Sequence, residues 1–325
     1  MIAPLAKLID WCALQAASVL LISARKCDRG NFKLAEAVEF LNGPDFIPAE
    51  SKPAGLEFTS NIHFKFPSPR PCGFAENNVV YGRLYRCADA WPDRPVILLL
   101  HGGGNFPGHQ LRFQWLARRC HRAGFNVATL ELPYHFQRRL RRTPGLDHLQ
   151  VAEAFAQAVA EIRALTGWLL GQGCPAVALS GVSLGGWLAG LAATRDSRLS
   201  AIVMIVPGVR TNYRVARGER ILWTPVRKAL ERQKAAREAL DKTPINLTLS
   251  RPVIPKENIL IVQGRYDLFV EAEQTGELWQ KWGQPEIWRL PQGHISTVLI
   301  PGMTGRILRW LAPRLNGDPA RTRNE

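Results

Sequence analysis

The spacing of apolar positions changes along the chain, and each change marks a different kind of element. Near the N-terminus Ile2, Leu5, Ile9, Cys12, Ala16 and Val19 recur at helical spacing, with Lys7, Asp10, Gln15 and Ser18 largely off that stripe. This predicts a helix docked on the body through the stripe, with a membrane-surface helix as the alternative. Helical character runs to about residue 45, where Gly43-Pro44 stops it. Residues 46–76 are proline-rich and weakly periodic. Within them Ile62, Phe64 and Phe66 alternate, and 79–85 read as a second strand, which predicts an antiparallel pair at a sheet edge.

From residue 95 the rhythm changes. Pro95-Val96-Ile97-Leu98-Leu99-Leu100 is a continuous apolar run, the pattern of a parallel strand buried on both faces. A helix over 108–122, a strand over 127–130 and a long helix with Asp147 as its N-cap follow; Ala152, Phe155, Val159, Ile162, Leu165 and Leu169 keep helical spacing in the last. Strands at 176–180, 201–206, 259–262 and 286–290 then alternate with helices, the last ending near 314. That alternation predicts an α/β fold with a mostly parallel central sheet flanked by helices. The expected organisation is an N-terminal helical extension and linker over 1–60, one α/β domain over 61–314 with a helical insertion at 208–257, and a polar tail over 315–325.

The chemistry sits where strands hand over to loops. Gly181-Val182-Ser183-Leu184-Gly185 is a G-x-S-x-G between a predicted strand and a predicted helix. Such a turn holds its serine in a strained conformation with the hydroxyl exposed, and the flanking glycines keep side chains clear. The motif alone is weak; its strand–turn–helix setting makes Ser183 a candidate nucleophile. A serine hydroxyl needs a base, and the base an orienting acid, in chain order Ser, acid, His. His294, in Leu290-Pro291-Gln292-Gly293-His294, is the sole histidine after Ser183. Asp267, directly after the strand at 259–262, is the expected acid, with Glu271 as the rival. An acyl-transfer intermediate also needs aimed N–H donors for its oxyanion. Leu184 supplies one, and Gly103 or Gly104 of the His101-Gly102-Gly103-Gly104 run the other; His101 is expected to shape that loop.

Charge widens the picture without choosing a partner. The chain carries a net +15 over 325 residues, and 208–242 holds ten Lys/Arg against four Asp/Glu, a net of +6. Leu222, Trp223, Val226 and Leu230 add an apolar stripe there, so the insertion reads as a basic amphipathic lid, with Leu222 and Trp223 as candidate substrate contacts, or more simply as a solvated charged face. No zinc-finger, RNP or P-loop signature is present, and no nucleic-acid partner is expected. The six cysteines show no C-x-x-C or metal-ligand spacing and read as reduced thiols; no metal or cofactor is expected. The uncharged stretch 11–24 falls short of the ~20 residues that span a bilayer, and no leader pattern precedes it. A cytoplasmic protein, at most peripheral at an anionic membrane, is the expectation.

The HGGG loop, the Gly181–Gly186 turn, Asp267 and His294 resemble the α/β-hydrolase superfamily across about 62–314. Two stretches are similar to the family of α/β-hydrolase domain-containing protein 18: Gly104-Asn105 through Arg118-Arg119, continuing to Glu131-Leu132-Pro133-Tyr134, and Gly181-Val182-Ser183-Leu184-Gly185-Gly186. The resemblance implies an α/β-hydrolase fold and hydrolysis of acyl esters, lipid esters among them. An amidase or peptidase using the same triad, or a non-catalytic binding protein on this fold, are the alternatives.

Overall fold

A computed structural model describes residues 3–21, 33–47, 55–87, 90–104, 109–140, 146–213 and 215–316. Two helices open the chain, α1 (Ala3–Leu21) and α2 (Leu34–Asn42). The strands are β1 (Glu57–Phe58), β2 (His63–Pro67), β3 (Val79–Tyr85), β4 (Val96–Leu100), β5 (Asn126–Leu130), β6 (Val177–Val182), β7 (Ala201–Ile205), β8 (Ile259–Gly264) and β9 (Glu286–Leu290). They form one sheet in the order β1-β2-β3-β5-β4-β6-β7-β8-β9. β1 to β3 run antiparallel to one another, β3 runs antiparallel to β5, and the remaining six are parallel. The fold is that of the α/β hydrolases.

The strands read as unbroken apolar runs because both sheet faces are covered. In β4, Val96, Leu98 and Leu100 join the core on one face; Ile97 and Leu99 join the core on the other. The first core packs against α4 (His148–Gly171), α5 (Leu184–Ala193) and α8 (Ala272–Lys281), the second against α3 (His109–Arg122) and α10 (Met303–Leu315). Asp147 caps α4 through a capping box, accepting the Gln150 N–H at 2.8 Å while the Gln150 side chain takes the Asp147 N–H at 2.9 Å. The insertion between β7 and β8 carries α6 (Thr224–Arg232) and α7 (Lys234–Leu240).

The N-terminal helix docks by a different face from the one its apolar spacing suggests. Ala6, Asp10 and Leu14 are buried, whereas Leu5 and Cys12 are exposed. Leu14 packs with Ile221 and Val226 of the insertion, and Gln15 brackets the same segment, donating to the Arg220 carbonyl at 2.9 Å and accepting the Leu222 N–H at 3.2 Å. The expected stripe in the insertion also divides. Val226 turns inward and Leu230 packs beside it, while Leu222 and Trp223 are exposed. Cys27, Asn105 and the tail from 317 lie outside the described residues.

Candidate active site

Four loops at the C-terminal ends of parallel strands meet at one point, where open α/β sheets place their sites. Ser183 sits between β6 and α5 with φ 53° and ψ −112°, a strained conformation for a side chain with a Cβ. Two glycines make the turn possible. A Cβ on Gly181 would fall on the Gly185 carbonyl, and a Cβ on Gly185 would fall on that of Leu100. The Ser183 N–H bonds the Ile205 carbonyl at 2.9 Å, which ties the turn to β7.

His294 begins α9 (His294–Thr297), a single helical turn after β9 that its sequence reads as plain loop. Its Nε2 lies 3.0 Å from Ser183 Oγ and its Nδ1 2.7 Å from Asp267 Oδ2. The carboxylate accepts, so Nδ1 carries the proton and Nε2 is free to accept the serine's. The Phe269 ring stacks on the imidazole with centroids 4.8 Å apart. Burial pushes the His294 pKa down, but the Asp267 charge and hydrogen bond and the Asp10 charge outweigh it and leave the imidazole above its usual value. Asp267 is fixed by its own turn: its Oδ1 accepts the N–H groups of Phe269 at 2.7 Å and Val270 at 2.9 Å. Glu271 is turned elsewhere. It precedes α8, pairs with Arg217 of the insertion at 2.5 Å and accepts from Gln274 at 2.8 Å.

The glycine loop after β4 lies against the nucleophile turn. A Cβ on Gly103 would be 3.7 Å from the Leu184 side chain, which brings the loop up to the residue after the nucleophile. Among the described residues neither the Gly103 nor the Leu184 N–H is hydrogen-bonded. Gly104 differs, because its N–H donates to His135 Nε2 at 3.1 Å. It therefore anchors the loop, and of the two glycine candidates Gly103 keeps its amide open. His101 also shapes the loop: its Nδ1–H donates to the Gly102 carbonyl at 2.7 Å and its Nε2 accepts the Leu132 N–H at 3.0 Å. Both ring nitrogens thus bond backbone groups, one on each of the two loops that meet there.

Beneath this loop is an apolar cavity of about 120 Å³, bordered by Gly102 and Val182 and lined further by Ile205, Val298, Met303 and Leu308. Leu222 and Trp223 are not among its lining residues. Sequence reasoning missed two contributors. His135 carried no motif. Asp10 read as a charge interrupting an apolar helix; it is wholly buried and accepts the His294 N–H at 2.6 Å. Among the described residues no cluster of His, Cys, Asp and Glu could hold a metal ion.

A model of the alpha/beta hydrolase family matches residues 97–323. Two uncharacterised proteins from strains of Mycobacterium tuberculosis are each 30% identical over 238 residues, covering 70% of this chain and 55% of theirs. The chain thus spans about half the length of these curated relatives. Among solved structures, the Pyrococcus furiosus esterase Pf2001 superposes with a TM-score of 0.56 at 17% identity, covering 82% of this chain and 100% of that one. XC6422 from Xanthomonas campestris, described as an α/β serine hydrolase without lid, gives 0.50 at 14% identity over 84% of this chain and 99% of that one. At these identities the likeness is one of fold.

Proposed function

This chain belongs to the alpha/beta hydrolase family, and from that premise we propose that it is a serine hydrolase of carboxylic esters acting through an acyl-enzyme on Ser183. One observation carries the reading: the unbroken line Ser183–His294–Asp267, with 3.0 Å and 2.7 Å contacts, next to two open amides. In the reaction His294 Nε2 takes the Ser183 proton as Oγ attacks the ester carbonyl. Negative charge collects on the carbonyl oxygen, which the Leu184 and Gly103 N–H groups are placed to receive. Asp267 keeps the imidazole in its Nδ1–H tautomer and favours the imidazolium. His294 then hands the proton to the leaving alcohol, and water attacks the acyl-enzyme by the same route in reverse.

On this reading an aliphatic or aromatic acyl group lies toward the apolar cavity bordered by Gly102 and Val182, next in the chain to Ser183, although Ser183 and His294 do not themselves line it. Lipid acyl esters are the finer reading. The cationic insertion supports it, with Leu222 and Trp223 exposed, 64% and 48%, beside α1. On this reading 208–257 serves as a cap, and contact with an anionic surface is peripheral. No described helix is long and apolar enough to cross a membrane.

The test is a fluorophosphonate label followed by a panel of short-chain, long-chain and phospholipid esters, with amides alongside. Labelling confined to Ser183, with ester turnover abolished in Ser183→Ala, is the expected result. Labelling of another serine sinks the assignment, and turnover of amides alone replaces esterase by amidase.

A further inference from the structure

The N-terminal helix reaches the catalytic histidine through the Asp10 side chain. Asp10 is wholly buried. Its Oδ2 accepts the N–H groups of His294 at 2.6 Å and Leu268 at 3.1 Å, and its Oδ1 accepts that of Ile295 at 2.9 Å. One carboxylate thus joins the residue after Asp267 to His294 and its successor. The approach is so close that a Cβ on Gly293 would lie 2.5 Å from Asp10 Oδ2. A buried carboxylate costs several kcal/mol unless its lone pairs are met, and charge-assisted bonds from three amides meet them here. A second carboxylate beside Asp267 also costs energy, since like charges repel. Burial and the Asp267 charge together push the Asp10 pKa up, against the amides that pull it down.

We infer that Asp10 is a positioning residue for hydrolysis: it ties the His294 backbone to the Asp267 loop and holds the imidazole in line between Ser183 and Asp267. The inference rests on the serine-hydrolase reading. It makes α1 part of the active centre, although the family match begins only at residue 97. The helix is itself held on both sides of the site. Leu14 packs on Ile221 and Val226, Gln15 bonds the insertion, and Lys7 lies 5.6 Å over the Tyr266 ring beside Asp267. Around His294 the carboxylates are Asp267 and Asp10, Lys7 is occupied by Tyr266, and Glu271 is paired with Arg217. An imidazolium formed during turnover therefore sits in the field of two carboxylates, and removing Asp10 removes one.

The experiment compares the full chain with Asp10→Asn and Asp10→Glu, reading the rate of Ser183 labelling and the pH profiles of kcat and kcat/KM on a small soluble ester. Asparagine keeps the size but turns an NH₂ toward an amide donor and carries no charge. It is expected to lose on the order of 10² in kcat, the scale of a misplaced catalytic group, with KM unchanged and the acid limb of kcat/KM moved to lower pH. Glutamate keeps the charge but displaces it; kcat falls while the acid limb stays. If Asp10→Asn does not fold, Asp10→Glu decides, and wild-type kcat in it overturns the inference. Wild-type kcat in Asp10→Asn, or a lower kcat with an unmoved acid limb, also overturns it, the latter leaving Asp10 as a structural contact. A wild-type chain that does not label at Ser183 overturns the hydrolase reading itself, and the inference falls with it.

Discussion

Arg138 and Glu161 form a two-pronged ion pair, 2.6 and 2.7 Å long, with neither side chain exposed to solvent. Arg138 also donates to the carbonyls of Glu131 and Asn77, at 2.7 and 2.6 Å. It thereby pins the loop 131–138 to α4. That loop carries His135, which holds Gly104, and Leu132, whose N–H holds His101. A buried ion pair thus supports the glycine loop from one step away. Removing one partner leaves the other charged and unpaired, which costs about 3–5 kcal/mol. Glu161→Ala is expected to lose that much in urea unfolding. A loss below about 1 kcal/mol, the scale of an exposed pair, would show that water replaces the carboxylate.

The His135 contact bears on rate more than on stability. His135→Leu keeps a side chain of similar reach but removes the acceptor for the Gly104 N–H. The loop carrying Gly103 is then less fixed, and kcat is expected to fall by roughly 10–10², below the 10²–10³ of deleting an oxyanion donor outright. KM should change little, since the amide is needed in the transition state. An unchanged kcat would mean that His101 alone sets the loop.

Asp267 and its rival Glu271 make opposite predictions. Asp267→Asn leaves the turn formed by Phe269 and Val270 largely intact but presents His294 Nδ1 with an amide, favouring the wrong tautomer. A loss of about 10⁴ in kcat is expected, as for triads generally. Glu271→Gln should leave kcat near wild type and weaken only the contact to Arg217. Steady-state kinetics on both variants decide between them, and reversed results would make Glu271 the triad acid.

The strands other than the two-residue β1, their order of appearance and the three residues brought together at Ser183, His294 and Asp267 were legible because each rests on local signals. An apolar run buried on both faces, a glycine pair around a serine and a polar residue just past a strand are all visible within six residues. Asp10 was not legible for the opposite reason. Its partners are the amides of Leu268, His294 and Ile295, more than 250 positions away, and backbone amides leave no mark on a sequence. Apolar spacing placed the buried face of α1 on Leu5 and Cys12; the face that is buried carries Ala6, Asp10 and Leu14 instead. His135 escaped notice likewise, since its acceptor role depends on a backbone N–H from another loop.

The pH dependence follows from the direction of the His294 shift. The base must be neutral to accept the serine proton, so kcat/KM rises with pH as His294 loses its proton. Asp267 and Asp10 hold that pKa above the ordinary 6.5. The midpoint of the acid limb is therefore expected above pH 6.5. In Asp267→Asn, with the larger of the two carboxylate influences removed, residual activity should show its midpoint at lower pH. A wild-type midpoint below 6.5 would mean that burial outweighs both carboxylates.

The insertion offers a test of what the positive charge is for. Arg227 and Lys234 are well exposed and only loosely paired along their helices, with Glu231 at 3.6 Å and Glu238 at 3.9 Å. Exposed pairs of this kind contribute little to stability, on the order of 0–1 kcal/mol, so reversing the cations should not unfold the segment. Leu222 and Trp223 stand exposed just ahead of Arg227 and Lys228, an apolar tip with a cationic flank. Such a tip would insert into a lipid surface while the cations steer it to anionic headgroups. Steering by exposed charge is screened over about 8 Å at physiological salt and fades as salt rises; apolar insertion does not. Binding to anionic vesicles is therefore expected to exceed binding to neutral ones, and to lose that excess at high salt. Charge reversal at Arg227, Lys228, Arg232 and Lys234 should abolish the excess, Trp223→Ala should weaken binding to both vesicle types, and neither should alter turnover of a small soluble ester. Equal binding to the two vesicle types at low salt, or no effect of charge reversal, would make the insertion a solvated face whose charge serves no lipid.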